Sequence, residues 1–258
     1  GIAGTYNTSG TADGAGCTDG NDATTCPYSE TSTIYFNNAK GFVLQDVIVE
    51  NNYYLSILVS GSAAYGSITD ITLSDFVAGA GDGSGGYDDK MGIRVSGSST
   101  TATTISGLIL SDVVDYGLVV LDGYATLSNS EISNVTADAV FLYMSDGGTQ
   151  PTADISDTTF INNFAAIYAK DTASLSLNTD IDATNSYGLV SCQYESTDVG
   201  DSINTINGGD FDSTNYFDTV TVSGSGATIN GTCSYYNTTM NSYSGDCTEE
   251  TTRPHCAR

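Results

Sequence analysis

Two columns of residues recur in step along the middle of the chain, and they constrain its fold more than any other feature. The first is an apolar residue, a spacer, then Asn or Asp: Val49-Glu50-Asn51, Leu73-Ser74-Asp75, Leu110-Ser111-Asp112, Ile132-Ser133-Asn134 and Phe160-Ile161-Asn162. Ile181 and Phe211 continue its apolar members, with Ala183 and Ser213 in place of Asn or Asp. The apolar members are 24, 37, 22, 28, 21 and 30 residues apart. The second column follows a few residues later, as a small residue before an apolar run. It reads Ser56-Ile57-Leu58-Val59, Gly92-Ile93-Arg94-Val95, Gly117-Leu118-Val119-Val120, Ala139-Val140-Phe141-Leu142, Ala166-Ile167-Tyr168-Ala169 and Gly188-Leu189-Val190-Ser191.

Repetition at this period marks an architecture in which each unit buries its apolar face against the next. No segment sustains a 3.6-residue period, and Gly, Asn and Asp punctuate the short apolar runs, which points to strands and turns. The columns predict an all-β chain of seven or eight coils between residues 33 and 232. Each coil holds two or three strands, and coils stack at about 4.8 Å. Asn51, Asp75, Asp112, Asn134 and Asn162 are expected to form an inward side-chain ladder along the stack. The longest interval accommodates a loop at 78–90. An antiparallel sandwich also has short strands and Gly/Asn turns, but it does not explain two columns in step.

These columns resemble the right-handed parallel β-helix superfamily, the pectate-lyase-like fold of pectate lyases, polygalacturonases and many surface adhesins. The resemblance spans roughly 200 residues and speaks to fold far more than to function. It implies a right-handed parallel β-helix at 33–232, flanked by a polar extension at 1–32 and a Cys-rich tail at 233–258. Both flanks are expected to be irregular and disulfide-bearing.

The six cysteines, Cys17, Cys26, Cys192, Cys233, Cys247 and Cys256, include no C-x2-C pair. They read as disulfides of an oxidising compartment rather than metal ligands, with their pairing open. Sequons at Asn7, Asn134, Asn230 and Asn237 agree with secretion. So does a start at Gly1 without Met or an apolar leader, as in a mature product. Because the ladder is expected to face inward, glycans are expected at Asn7, Asn230 and Asn237 before Asn134.

Charge narrows the partners. With 31 acidic residues against 6 basic ones, the net charge is −25. Six cations cannot replace the counterions of nucleic acid or hold an anionic membrane surface. No apolar run is long enough to insert into a membrane.

Enzymes of the resembled superfamily supply templates for chemistry, and the chain fits them poorly. Asn178-Thr179-Asp180 matches the opening of the polygalacturonase-like set, and Asp88-Asp89 resembles its Asp pair. However, the pair precedes rather than follows, no Arg-x-Lys occurs, and the single His255 lies in the tail. A lyase-type base would have to be Lys40, Lys90, Lys170 or Arg94, of which Arg94 sits on an apolar strand pointing outward. No nucleophile motif is present, and the reading is not an enzyme. No cofactor is implied beyond calcium, for which Asp82, Asp88 and Asp89 are the candidate ligands. Among the 17 Tyr, Tyr53-Tyr54, Tyr65, Tyr116, Tyr124, Tyr216 and Tyr235-Tyr236 are candidate interface residues.

The sequence therefore reads as a secreted, glycosylated structural subunit that assembles head to tail into a filament, appendage or cell-surface coat, or as an adhesin. The alternative is a carbohydrate-active enzyme, a polysaccharide lyase or glycoside hydrolase, on the same fold. Third is an ice-binding surface, for which Thr101-Ala102-Thr103 and Thr219-Val220-Thr221 have suitable spacing.

Overall fold

The computed structural model describes residues 32–50, 55–76, 90–97, 99–113, 115–145, 148–170, 173–181, 184–192, 202–207, 210–218, 220–225, 228–236, 239–241 and 245–251. Every regular element among them is a β-strand, and no helix there is long and apolar enough to cross a membrane. The strands wind into a parallel β-solenoid of about six turns.

One sheet stacks Ser32–Asn37, Leu55–Ser60, Met91–Ser96, Tyr116–Leu121, Asp138–Tyr143, Ala165–Lys170, Tyr187–Cys192, Thr214–Asp218, Cys233–Tyr236 and Thr248–Glu249, in chain order. The second stacks Lys40–Glu50, Tyr65–Ser74, Thr103–Ser106, Tyr124–Ser133, Thr152–Ile161, Ser174–Asn178, Ser202–Asn207, Val220–Ser225 and Thr239–Asn241. A short strand, Ile109–Ser111, joins the second sheet between Tyr65–Ser74 and Tyr124–Ser133.

Both sequence columns lie in register. Ile57, Ile93, Leu118, Val140, Ile167 and Leu189 face one another rung by rung in the first sheet. Val49, Leu73, Leu110, Ile132 and Phe160 do so in the second, and Ile181, Phe211 and Ile229 continue that line by parallel bridges. These side chains fill one continuous interior cluster. Burying each Leu or Ile contributes about 1.5–3 kcal/mol relative to leaving it exposed. The small residue ahead of each first-sheet run is a packing requirement: a Cβ on Gly117 would lie 2.4 Å from the Ala139 carbonyl oxygen.

Each coil turns at three corners, and most of their residues have left-handed backbone. One corner holds Asn38 (φ 49°), Gly61 (φ 108°), Gly97 (φ 116°) and Asp122 (φ 54°). Another holds Asp46, Asp70, Gly107, Asn129 and Asp157, with φ between 47° and 66°. The third holds Asp75, Asp112, Asn134 and Asn162, with φ between 54° and 59°. A left-handed conformation costs most L-residues about 1–2 kcal/mol, and Gly, Asn and Asp least. The Asp and Gly content is thus partly the material of the corners.

The expected all-β parallel stack is what these strands form, with about six turns where seven or eight coils were expected, and its register shifts between Tyr187 and Val190. Pairing nevertheless continues past residue 232, where Cys233–Tyr236 pairs Thr248–Glu249. In this tail Cys233 and Cys247 form a disulfide.

Candidate functional site

The third corner carries the ladder read from the sequence, but it faces out. Asp75, Asp112, Asn134 and Asn162 are exposed, which corrects the inward orientation expected for them. The reason is geometric: a left-handed residue turns the chain, and the residue after it enters the core. Phe76, Val113, Val135, Asn163 and Asn185 occupy that inward place and are buried. Asn134 remains tied to the rung before it, its Nδ2 donating to Asp112 Oδ1 at 3.1 Å. Thr184, Asp212 and Asn230 extend the exposed edge, and Asn230 Nδ2 donates to Asp212 Oδ1 at 3.1 Å.

The inward neighbours form the buried amide ladder. Asn163 Oδ1 accepts from the Val135 N–H at 3.0 Å. Its Nδ2 donates to the Ile132 carbonyl and to Asn185 Oδ1, both at 3.0 Å. Asn185 Nδ2 donates to the Phe160 carbonyl at 2.7 Å. Asn215, also buried, accepts from the Leu189 N–H at 3.0 Å and donates to the Ser213 carbonyl at 2.8 Å. These amides are satisfied as buried polar groups must be, and their task is structural.

The outer face of the first sheet is unlike the rest of this acidic molecule. Leu118 and Val120, like Ile167 and Ala169, belong to the interior cluster, so strand alternation places Val119 and Tyr168 on the outer side. Tyr168, Val190 and Tyr216 form a separate apolar cluster there, with Phe141 and Tyr187 against it. Phe141 stacks on Tyr116 at 5.1 Å and on Tyr143 at 5.9 Å, and meets Tyr168 edge-on at 5.7 Å. Lys170 Nζ lies 4.8 Å from the centre of the Tyr143 ring, within cation–π range. Arg94 pairs with Val119, whose other neighbour is Phe141, so it shares this outer column.

On the second sheet's outer face, Tyr124 donates its hydroxyl to Asp154 Oδ2 at 2.5 Å. That bond, then partial burial, then the carboxylate's charge raise the phenol above its ordinary value. The pair reads as a surface contact between neighbouring rungs.

The remaining candidates separate cleanly. Thr179 of the Asn178-Thr179-Asp180 triplet donates to the Thr158 carbonyl at 2.6 Å and accepts from the Thr158 N–H at 3.1 Å, a role in stacking. Asp82, Asp88 and Asp89, the calcium candidates, lie outside the described residues. So do Asn7, Asn51, Asn237, Cys17, Cys26, Cys256 and His255. Cys192 ends the strand Tyr187–Cys192. Among the described residues no group of three His, Cys, Asp or Glu is placed to hold a metal ion.

Sequence reading missed two of the three corner columns. The signal was there: Asp46, Asp70, Gly107, Asn129 and Asp157 repeat at the intervals 24, 37, 22 and 28 already seen in the apolar column. It also missed the buried Asn163 and Asn185, because their counterparts Val113 and Val135 are apolar and hide the column. No protein-family model, curated protein or solved structure matches the chain.

Proposed function

We propose that the protein is a secreted structural subunit that associates end to end into an extracellular filament, appendage or coat. The supporting observation is how the stack ends among the described residues. Among the described residues, Ser32–Asn37 and Thr248–Glu249 each have one hydrogen-bonded neighbour in the first sheet. A parallel strand with one free edge is a template for another strand. Joining the last rung of one copy to the first of the next repeats a heterologous contact, and such a contact that does not close on itself yields a filament. The −25 charge opposes indiscriminate association, so assembly depends on these specific edges and on counterions. Negative-stain microscopy of the purified protein across salt and calcium concentrations tests this: the reading expects unbranched polymers, and monodisperse particles under all conditions refute it.

A second reading, carbohydrate binding or turnover, draws on the outer face of the first sheet. Arg94 and Lys170, two of the chain's six cations, share that face with Tyr116, Phe141, Tyr143 and Tyr168. Aromatic rings beside cations suit an acidic sugar polymer. Reducing-sugar and unsaturation assays over a polysaccharide panel, with a pull-down on the same polymers, separate this reading from the first.

A further inference from the structure

We propose that Asn134 and Asn230 are both N-glycan attachment sites, set along one solvent-facing corner of the solenoid. The inference rests on the secreted reading above. It reverses the ranking that placed Asn134 last, because the burial on which that ranking stood is absent.

The two sequons have the same surroundings. In Asn134-Val135-Thr136 the Asn and the Thr are exposed while Val135 is buried. In Asn230-Gly231-Thr232 the Asn and the Thr are again exposed. Each Asn side chain is tethered through Nδ2 to an Asp one rung earlier, Asp112 or Asp212, at 3.1 Å. An amide nitrogen carries two hydrogens. Replacing one with a sugar leaves the other for the carboxylate, so the tether survives modification.

The space beside each sequon fits a sugar. A shallow depression of ≈ 400 Å³ is lined by all three residues of the first sequon, and one of ≈ 540 Å³ by all three of the second. Ser186 lines both, so the depressions run end to end along the corner. Phe164 lines the first, is 37% exposed, and has its ring held against Tyr187 at 5.2 Å. An exposed ring of this kind gives the apolar C–H face of an N-acetylhexosamine a surface to pack on. The other lining groups are polar, among them Asn162 and Thr184 in the first depression and Asp212 in the second.

In the transfer, Asn Nδ2 bonds to the anomeric carbon of a lipid-diphosphate-linked oligosaccharide. The bond from that carbon to the phosphate oxygen breaks, and the lipid diphosphate leaves with the electron pair. Nδ2 gives one proton to the host transferase. A corner that carries two glycans is closed to protein contact, so end-to-end assembly leaves it facing solvent. Any lateral contact between filaments then uses other surfaces.

The test is secretion of the full chain from a glycosylating eukaryotic culture. Glycopeptide mass spectrometry follows enzymatic deglycosylation in heavy-oxygen water, which marks each formerly occupied Asn. Both Asn134 and Asn230 are expected to be occupied in most chains. Asn134→Gln and, independently, Thr136→Ala are each expected to remove one glycan, and the second leaves the left-handed Asn in place. Phe164→Ala is expected to keep Asn134 occupied but speed glycan release from the folded protein several-fold. A secreted chain with Asn134 or Asn230 bare overturns the inference and leaves the structural reading standing. A chain that fails to be secreted counts against the structural reading itself. Polymers that form only after deglycosylation overturn the free-corner geometry.

Discussion

The same inward position is built in two ways along one corner. In the earlier coils it holds Val113 and Val135; in the later ones it holds Asn163 and Asn185. Backbone bonds keep the four in one column: Thr136 N–H to the Val113 carbonyl, Phe164 to Val135 and Ser186 to Asn163. A valine is satisfied by any apolar neighbour of suitable volume. A buried amide is satisfied only by partners in the right place, and an unmatched one costs about 1–3 kcal/mol. The apolar half therefore supplies adhesion between coils, and the amide half also fixes register. A one-rung slip would leave Val135 N–H, the Ile132 carbonyl and the Phe160 carbonyl without their partners.

The largest effect is expected at Asn163. Asn163→Ala leaves the Val135 N–H and the Ile132 carbonyl of the preceding rung without their partner and removes one of two donors to Asn185 Oδ1, and should cost about 4 kcal/mol in chemical denaturation. If Asn163→Val costs no more than a valine truncation elsewhere in the column, the amides are mere filler and the contrast collapses. Next is the staple beyond the amide half. Replacing both Cys233 and Cys247, which are 14 residues apart, with Ala should cost about 3 kcal/mol from loop-closure entropy. Hydrogen exchange should show the rungs after Tyr187 opening before those around Leu118. On the apolar side, Val135→Ala leaves a small cavity and should cost about 2 kcal/mol.

A corner substitution should rank below these. Gly107 has φ +66°, and a Cβ there would lie 2.4 Å from Asp70 Oδ1. Gly107→Ala should cost about 1.5 kcal/mol, whereas Asn129→Gly, one rung on at the same corner, should be near neutral.

The smallest effect belongs to the exterior contact of Tyr124 with Asp154. The phenol's folded pKa is raised above an ordinary value near 10. Its contribution to stability is thus fully present below about pH 10 and lost as pH rises through the higher folded value. Ultraviolet titration should show one late-titrating Tyr that Asp154→Asn returns toward the ordinary range. No late-titrating Tyr in the native protein would remove even this exterior tie from the account.

The architecture was legible because stacking turns sequence period into register. Ile57 through Leu189, and Val49 through Phe160, repeat in the chain as they meet in space. Side-chain direction at the corners was not legible. Asn134 and Asn163 are both Asn near a turn, and only the left-handed φ of Asn134 and Asn162 sends one set outward and the next inward. The aromatic and cationic outer face was half legible. Arg94 between Ile93 and Val95 reads as outward, but Lys170 meets Tyr143 across two rungs that 27 residues of sequence separate. Function was the least legible, because the fold is specified by residues that do no chemistry.

Fibre diffraction from oriented polymers of the purified protein bears most directly on end-to-end assembly. If the coils of successive copies continue one stack, a reflection near 4.8 Å lies along the filament axis. Polymers with that reflection off the axis, or no polymer at all, would contradict it.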